Sequence, residues 1–85
     1  MYTLMVDCNA FDLKHTVYVV DEQSNFKLNT AASIPVGQIA EYAAASAVDC
    51  IKIQGITEYN EGIKEQIEKD LALKYANKNI KVEVI

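Results

Sequence analysis

The hydrophobic positions at the start of the chain have the spacing of β-strands. Residues 2–6 are apolar at nearly every position, which predicts a strand buried on both faces in the centre of a sheet. Residues 16–20 are rich in β-branched and aromatic side chains, and residues 26–30 alternate strictly between apolar and polar. Because the connection at 21–25 is polar and of hairpin length, the first three elements are predicted to be neighbouring strands.

The middle of the chain changes to helical spacing and then returns to a strand. Ser33 and Pro35 have the chemistry of a helix start, because a hydroxyl caps free N–H groups and proline is tolerated in the first turn. Small apolar residues follow at helical spacing, namely Val36, Ile39, Ala40, Ala43 and Ala47. Cys50–Gln54 is predicted as the fourth strand, ended by Gly55.

A second helix and a last strand complete the pattern. Asn60 is a candidate cap, and the helix after it has one apolar row at i, i+4 spacing, formed by Ile63, Ile67, Leu71 and Tyr75. Asn77 and Asn79 mark the end of this helix. Residues 80–84 alternate and predict a half-buried strand at an edge.

The order of the elements restricts the topology. A leading meander sets strands one to three side by side, and the two later strands require right-handed crossovers through the helices. The arrangement that satisfies both conditions is an α/β fold of order βββαβαβ, with a five-stranded mixed sheet of order 3-2-1-4-5 and strand two antiparallel to the rest. Both helices then lie on one face of the sheet. We expect residues 1–85 to form a single small domain, because no linker or repeat interrupts them.

The charged residues limit the kinds of molecule that the chain can be expected to bind. The 85 residues include 8 lysines, no arginine and 12 acidic residues, for a net charge of −4. Proteins that bind nucleic acid depend on lysine and arginine to neutralise phosphates and on arginine to read bases, so this composition argues against nucleic acid as a partner. No run of 18 apolar residues predicts a membrane span, and no basic segment precedes an apolar one at the start. We therefore expect a cytoplasmic protein.

The cysteines and the single histidine predict neither a disulfide nor a metal centre. If the first and fourth strands are parallel neighbours, Cys8 and Cys50 lie at opposite ends, more than about 10 Å apart, which is beyond the reach of a disulfide. His15 is the one histidine and is expected in an exposed loop. With no clustered ligands, the sequence predicts no zinc site and no cofactor.

Two parts of the chain resemble a known group of proteins. Residues 4–7 followed by 16–20, and residues 47–53 followed by 79–85, resemble the ribonuclease H-like proteins, especially the Holliday-junction resolvase type. The resemblance implies the sheet described above and a metal-binding aspartate at the end of the first strand. Asp7 matches that position.

The same resemblance exposes a departure from the pattern of the nuclease site. Gln54 occupies the end of strand four, where the resolvase type carries a glutamate, and a neutral amide is a poor ligand for a hard cation. Two-metal hydrolysis requires several converging carboxylates, and the later helix that supplies the others is not expected before Ile85. If the chain is a nuclease, its candidate residues are Asp7, Glu58 and Glu61. We expect a protein that is not an enzyme, with Asp7 as the one weak candidate metal ligand.

The sheet face without helices is then the candidate binding surface. Its predicted apolar middle contains Thr3 and Met5, with either Tyr18 and Val20 or Val17 and Val19, and charged residues surround it. We take the candidate partner-binding residues to be Met5, Tyr18, Val20, Lys52, Gln54, Lys81, Glu83 and Ile85. The sequence favours a binding or assembly module that forms a homodimer or binds a protein partner. The alternatives are a minimal metal-dependent nuclease or nucleic-acid-binding relative of the resolvases, and a small acidic inhibitor that mimics nucleic acid.

Overall fold

Among the residues that the structure describes, six short strands form one mixed sheet. The computed structural model describes residues 2–8, 14–23, 26–27, 31–55 and 60–85. The strands are β1 (Tyr2–Asp7), β2 (Lys14–Asp21), β3 (Phe26–Lys27), β4 (Ala32–Pro35), β5 (Cys50–Gln54) and β6 (Lys81–Val84). The helices are α1 (Ile39–Ala45), which follows a 3₁₀ turn at Val36–Gln38, and α2 (Asn60–Lys74), which precedes a 3₁₀ turn at Ala76–Lys78.

The sheet has the predicted order and directions. β1 is central, antiparallel to β2 on one side and parallel to β5 on the other, and β6 pairs parallel with β5 at the edge. β3 and β4 both pair antiparallel with β2, β3 along Val20 and Asp21 and β4 along the stretch from Lys14 to Val17. β3 and β4 therefore lie one after the other along the same side of β2. The six strands occupy five positions in the sheet, in the order that was predicted as 3-2-1-4-5. This arrangement is compatible with a nuclease-like α/β fold.

Both helices cover the same face of the sheet, and the core lies between them and the strands. Leu4 and Val6 of β1 and Ile51 and Ile53 of β5 are fully buried in one cluster. The helices contribute a set of five buried residues to that cluster: Ile39, Ala40 and Ala43 of α1, with Ile67 and Leu71 of α2. The apolar row predicted for the second helix is confirmed, since Ile63 and Tyr75 also pack against this core.

The start of the first helix was predicted wrongly. Ser33 and Pro35 belong to β4, where Ser33 pairs with Thr16 and Pro35 with Lys14. The helical turns begin only after Pro35, which has an extended backbone with φ −72° and ψ 157°. Ala47, which was assigned to the helix by its spacing, lies beyond the end of α1 with φ 55°. Pairing with β2 is a non-local interaction, and it overrides the local helix-start chemistry.

His15 was also predicted wrongly. It lies within β2, not in a loop, and only 7% of its surface is exposed. It pairs with Ile34 of β4 and lies two residues before the buried Val17, so both side chains point to the side of the helices.

The ends of the second helix agree better with the sequence. α2 begins at Asn60, and Asn79 has the left-handed backbone, with φ 54°, that ends the turn after the helix. In the described part of the chain, neither helix is long and apolar enough to cross a membrane.

Candidate functional site

The sheet face opposite the helices, here called the helix-free face, is ordered into rows by strand register. Met5 lies between Tyr18 of β2 and Lys52 of β5, and Lys52 pairs in turn with Glu83 of β6. The next row sets Thr3 between Val20 and Cys50. The last row contains Thr16, Asp7 and Gln54. Successive side chains of a strand point to opposite faces, so each row belongs to one face.

This register decides between the two alternatives for β2. Val17 and Val19 are buried in the helix-side core, whereas Tyr18 and Val20 are half-buried on the helix-free face together with Met5. Toward the β6 edge, Lys81 is exposed, Glu83 is half-buried and 60% of the Ile85 surface is exposed. All eight residues predicted for partner binding therefore lie on this face or at its edge. Phe26 and Lys27 are described by their backbone alone, and Leu28 and Asn29 lie outside the described residues.

Glu22 joins three strands across this face. The Thr3 hydroxyl donates a hydrogen bond to Glu22 Oε1 at 2.7 Å, and Lys52 Nζ lies 2.9 Å from the same oxygen. The hydrogen bond from Lys52, with that from Thr3, lowers the pKa of Glu22 below its ordinary 4.5. The same contact raises the pKa of Lys52 above 10.5. No sequence pattern singled out Glu22, because the two residues it contacts, Thr3 and Lys52, are distant from it in the chain.

A cleft of about 290 Å³ opens beside this pair. It is lined by Thr3, Met5, Val20, Glu22 and Lys52. Met5 and Val20 provide its apolar part, and the three polar lining residues include one charge of each sign. Apolar and charged groups side by side are common in protein-binding surfaces.

The row at the carboxyl end of β1 and β5 contains the residue that matched a nuclease metal ligand. Gln54 Nε2 donates a hydrogen bond to Asp7 Oδ1, and it also lies 3.4 Å from the Tyr18 hydroxyl oxygen. One oxygen of the Asp7 carboxylate is therefore already engaged by the amide. Glu61 is exposed on the first turn of α2, and Glu58 lies outside the described residues. Among the residues that the structure describes, no three His, Cys, Asp or Glu side chains are grouped to hold a metal ion.

The chain leaves β5 in close contact with β1. Gly55 has φ 130°, and a Cβ atom there would lie 2.9 Å from the carbonyl oxygen of Cys8. The Cys8 amide donates to the Gln54 carbonyl at 2.8 Å. Asn60 was predicted to cap α2, but it is 6% exposed and its Nδ2 donates to the Gly55 carbonyl at 3.3 Å. Its side chain thus connects the start of α2 to the residue that follows β5.

Both cysteines are free thiols, as predicted, and neither is activated. Burial and the neighbouring Asp7 carboxylate raise the pKa of Cys8. Burial also raises the pKa of Cys50, followed by the effect of Glu83, whose Oε1 lies 3.8 Å from Cys50 Sγ. A thiol acts as a nucleophile in its thiolate form, so these environments oppose catalysis by cysteine.

No protein-family model matches the chain, and no curated protein matches it in sequence.

Proposed function

We propose that the protein is a non-catalytic binding or assembly module of ribonuclease H-like topology, in which the helix-free face is covered by a second copy of the chain. The observation that carries this proposal is the row of Tyr18, Met5 and Lys52, which is half-buried and which no described helix covers. Covering apolar surface contributes about 25 cal/mol per Å², which matters for a domain of this size.

The charges on the face favour a second copy over an unrelated partner whose surface carries a single sign of charge. Glu22 and Lys52 line the cleft, and Lys81 and Glu83 lie on β6. A two-fold interface brings the same patch of both copies together, so each patch must complement itself. A face with both signs of charge satisfies this requirement. The same mixture argues against a mimic of nucleic acid, which needs carboxylates without interspersed cations.

The size of the face predicts how tight the contact is. Five strand positions about 4.8 Å apart, each with about five residues at 3.3 Å, give a projected area of about 400 Å². A stable interface buries about 800 Å² on each partner. The face alone therefore has the area of a weak or transient contact.

The hydrogen bond between Gln54 and Asp7 bears on the alternative function, that of a metal-dependent nuclease. A divalent metal at Asp7 would have to displace the amide of Gln54 from Oδ1, and that amide has no negative charge to offer the metal in return. For this reason the non-catalytic role is preferred. Incubation of the purified protein with branched DNA in Mg²⁺ or Mn²⁺ tests this part. Cleavage that is lost in Asp7→Asn would favour the nuclease instead.

Sedimentation of the Met5→Glu variant tests the assembly role. Met5 is in the centre of the face, so a carboxylate there should prevent the two faces from meeting. At protein concentrations up to about 1 mM, the largest species of the variant should have half the mass of the largest wild-type species. Leu73→Glu is the matched control, because Leu73 is 74% exposed on α2 and the substitution introduces the same charge on the other side. Circular dichroism checks that both variants are folded. A wild-type protein that remains monomeric, or a Met5→Glu variant that assembles like wild type, would contradict the proposal.

A further inference from the structure

The free edge of β6 is a second surface with a defined hydrogen-bonding pattern. The Lys81 amide donates to the Asp49 carbonyl at 3.1 Å, and the Ile85 amide donates to the Ile53 carbonyl at 2.9 Å. These residues turn their backbone groups toward β5. Because the direction alternates along a strand, Val82 and Val84 turn their N–H and C=O groups away from β5. β6 is the last strand in the order of the described sheet, so these groups face outward.

The side chains of β6 alternate as well. Val82 and Val84 pack on the side of the helices, and Lys81 and Glu83 lie on the helix-free face. An edge strand with outward backbone groups can pair with another strand, and the charged residues then decide which strand and which register.

Only a few registers allow two β6 strands to pair antiparallel about a two-fold axis, because outward-facing residues must oppose outward-facing residues. An axis at Lys81 or at Glu83 would set two like charges opposite each other. An axis at Val82 sets Lys81 of each copy opposite Glu83 of the other. In this register Val82 opposes its own counterpart as a hydrogen-bonded pair, and the charged residues form the non-hydrogen-bonded pairs, in which side chains are closest.

We propose that two copies of this chain pair antiparallel through β6 about a two-fold axis at Val82. The contact contains reciprocal hydrogen bonds between the Val82 backbones and two ion pairs between Lys81 of one copy and Glu83 of the other. On the side of the helices, Ile80 opposes Val84 of the second copy and extends the apolar layer.

This inference goes beyond the proposed function, because it concerns the edge of the sheet and does not depend on the helix-free face being covered. The two surfaces are related through geometry. A two-fold axis perpendicular to the sheet keeps both helix-free faces on one side and joins them into a surface of about 800 Å², the size of a standard interface. If both contacts form, the wild-type protein is a tetramer of two such sheets.

Reversal of the charges tests the register. Lys81→Glu sets glutamate opposite glutamate, and Glu83→Lys sets lysine opposite lysine. Each variant alone should therefore have a dissociation constant for the edge dimer that is higher than that of wild type by about tenfold or more. An equimolar mixture of the two variants restores both ion pairs and should associate as wild type does, as should the double variant. These measurements are made by sedimentation in the Met5→Glu background, which removes the contact through the helix-free face and isolates the edge.

A backbone substitution provides an independent test. Val84→Pro removes an outward N–H group without removing a hydrogen bond to β5, whereas Val84→Ala shortens the same side chain and keeps the N–H group. We expect Val84→Pro to lose the edge dimer and Val84→Ala to keep it, with circular dichroism confirming that both are folded. The proposal is overturned if the two charge variants fail to associate on mixing, or if Val84→Pro dimerises as strongly as Val84→Ala. A Met5→Glu variant that has half the mass of the wild-type assembly and keeps the edge dimer supports both surfaces.

Discussion

Gln54 and Asp7 are partners in the parallel register of β5 and β1, and they are joined by a hydrogen bond from the Gln54 amide to the Asp7 carboxylate. This contact satisfies the aspartate without a cation. The amide is the partner of this aspartate in a part of the chain where the described residues form no cluster of metal ligands. The neutral amide at position 54 thus distinguishes this site from the cluster of carboxylates that a two-metal nuclease needs.

Gln54→Glu should make the site dependent on cations. The substitution replaces a hydrogen-bond donor by a second carboxylate beside Asp7, so we expect the free energy of unfolding at neutral pH to fall by about 1–3 kcal/mol. Like charges raise the pKa of a carboxylate pair, so the deficit should shrink as the pH is lowered and one carboxylate becomes protonated. Mn²⁺ should raise the Tm of the variant, because the cation binds the folded pair.

Gln54→Met is the control for this prediction, since it removes the hydrogen bond and adds no charge. Its Tm should not respond to Mn²⁺. If Gln54→Glu is as stable as wild type and insensitive to Mn²⁺, then Gln54 is not what keeps Asp7 from binding a metal.

Gly55→Ala should destabilise the protein. A φ of 130° is strained for any residue with a Cβ atom, and the added atom would meet the Cys8 carbonyl oxygen at 2.9 Å. We expect a loss of about 2 kcal/mol or more in urea denaturation. Gly62→Ala is the matched control, because a Cβ there meets nothing within 4 Å and the site lies in α2. That variant should gain about 0.5–1 kcal/mol. Equal effects at the two glycines would contradict the close approach of β5 and β1.

The parts of the fold that sequence could predict are those with strong local patterns. Cys50–Gln54 has the bounds that were predicted, because Gly55 ends it sharply. α2 was predictable from its i, i+4 row, and β1 from its nearly continuous apolar run. The alternation of side chains in β1 and β5 was enough to assign Met5 and Lys52 to the helix-free face.

The parts that sequence could not predict depend on distant pairing. β4 contains Ser33 and Pro35, which favour a helix start locally, but its hydrogen bonds are made with residues 14–17 of β2. The choice between Tyr18 and Val17 for the helix-free face required the register with β1. Glu22 was missed because its two partners, Thr3 and Lys52, are distant in sequence.

The ion pair of Glu22 and Lys52 should give stability a defined pH dependence. In the folded protein the pKa of Glu22 is lowered from 4.5, so its contribution is fully present above that value and is lost as the pH falls through the lower folded pKa. The pKa of Lys52 is raised from 10.5, so its contribution is present below that value and is lost as the pH rises through the higher folded pKa.

Glu22→Gln tests this pH dependence on the acid side. Glutamine keeps an oxygen for the Thr3 hydroxyl but removes the charge that Lys52 binds at 2.9 Å. We therefore expect the variant to be less stable than wild type near pH 7 and to approach wild type as the pH falls through the lowered folded pKa of Glu22, below which the carboxyl is protonated in both states. Urea denaturation midpoints across this range measure the difference. In a Lys52→Met background the same substitution should have a smaller effect at neutral pH, because the partner that chiefly lowers the Glu22 pKa is gone. A deficit that stays the same from pH 7 to below the folded pKa of Glu22 would mean that Glu22 acts through its shape and not through its charge.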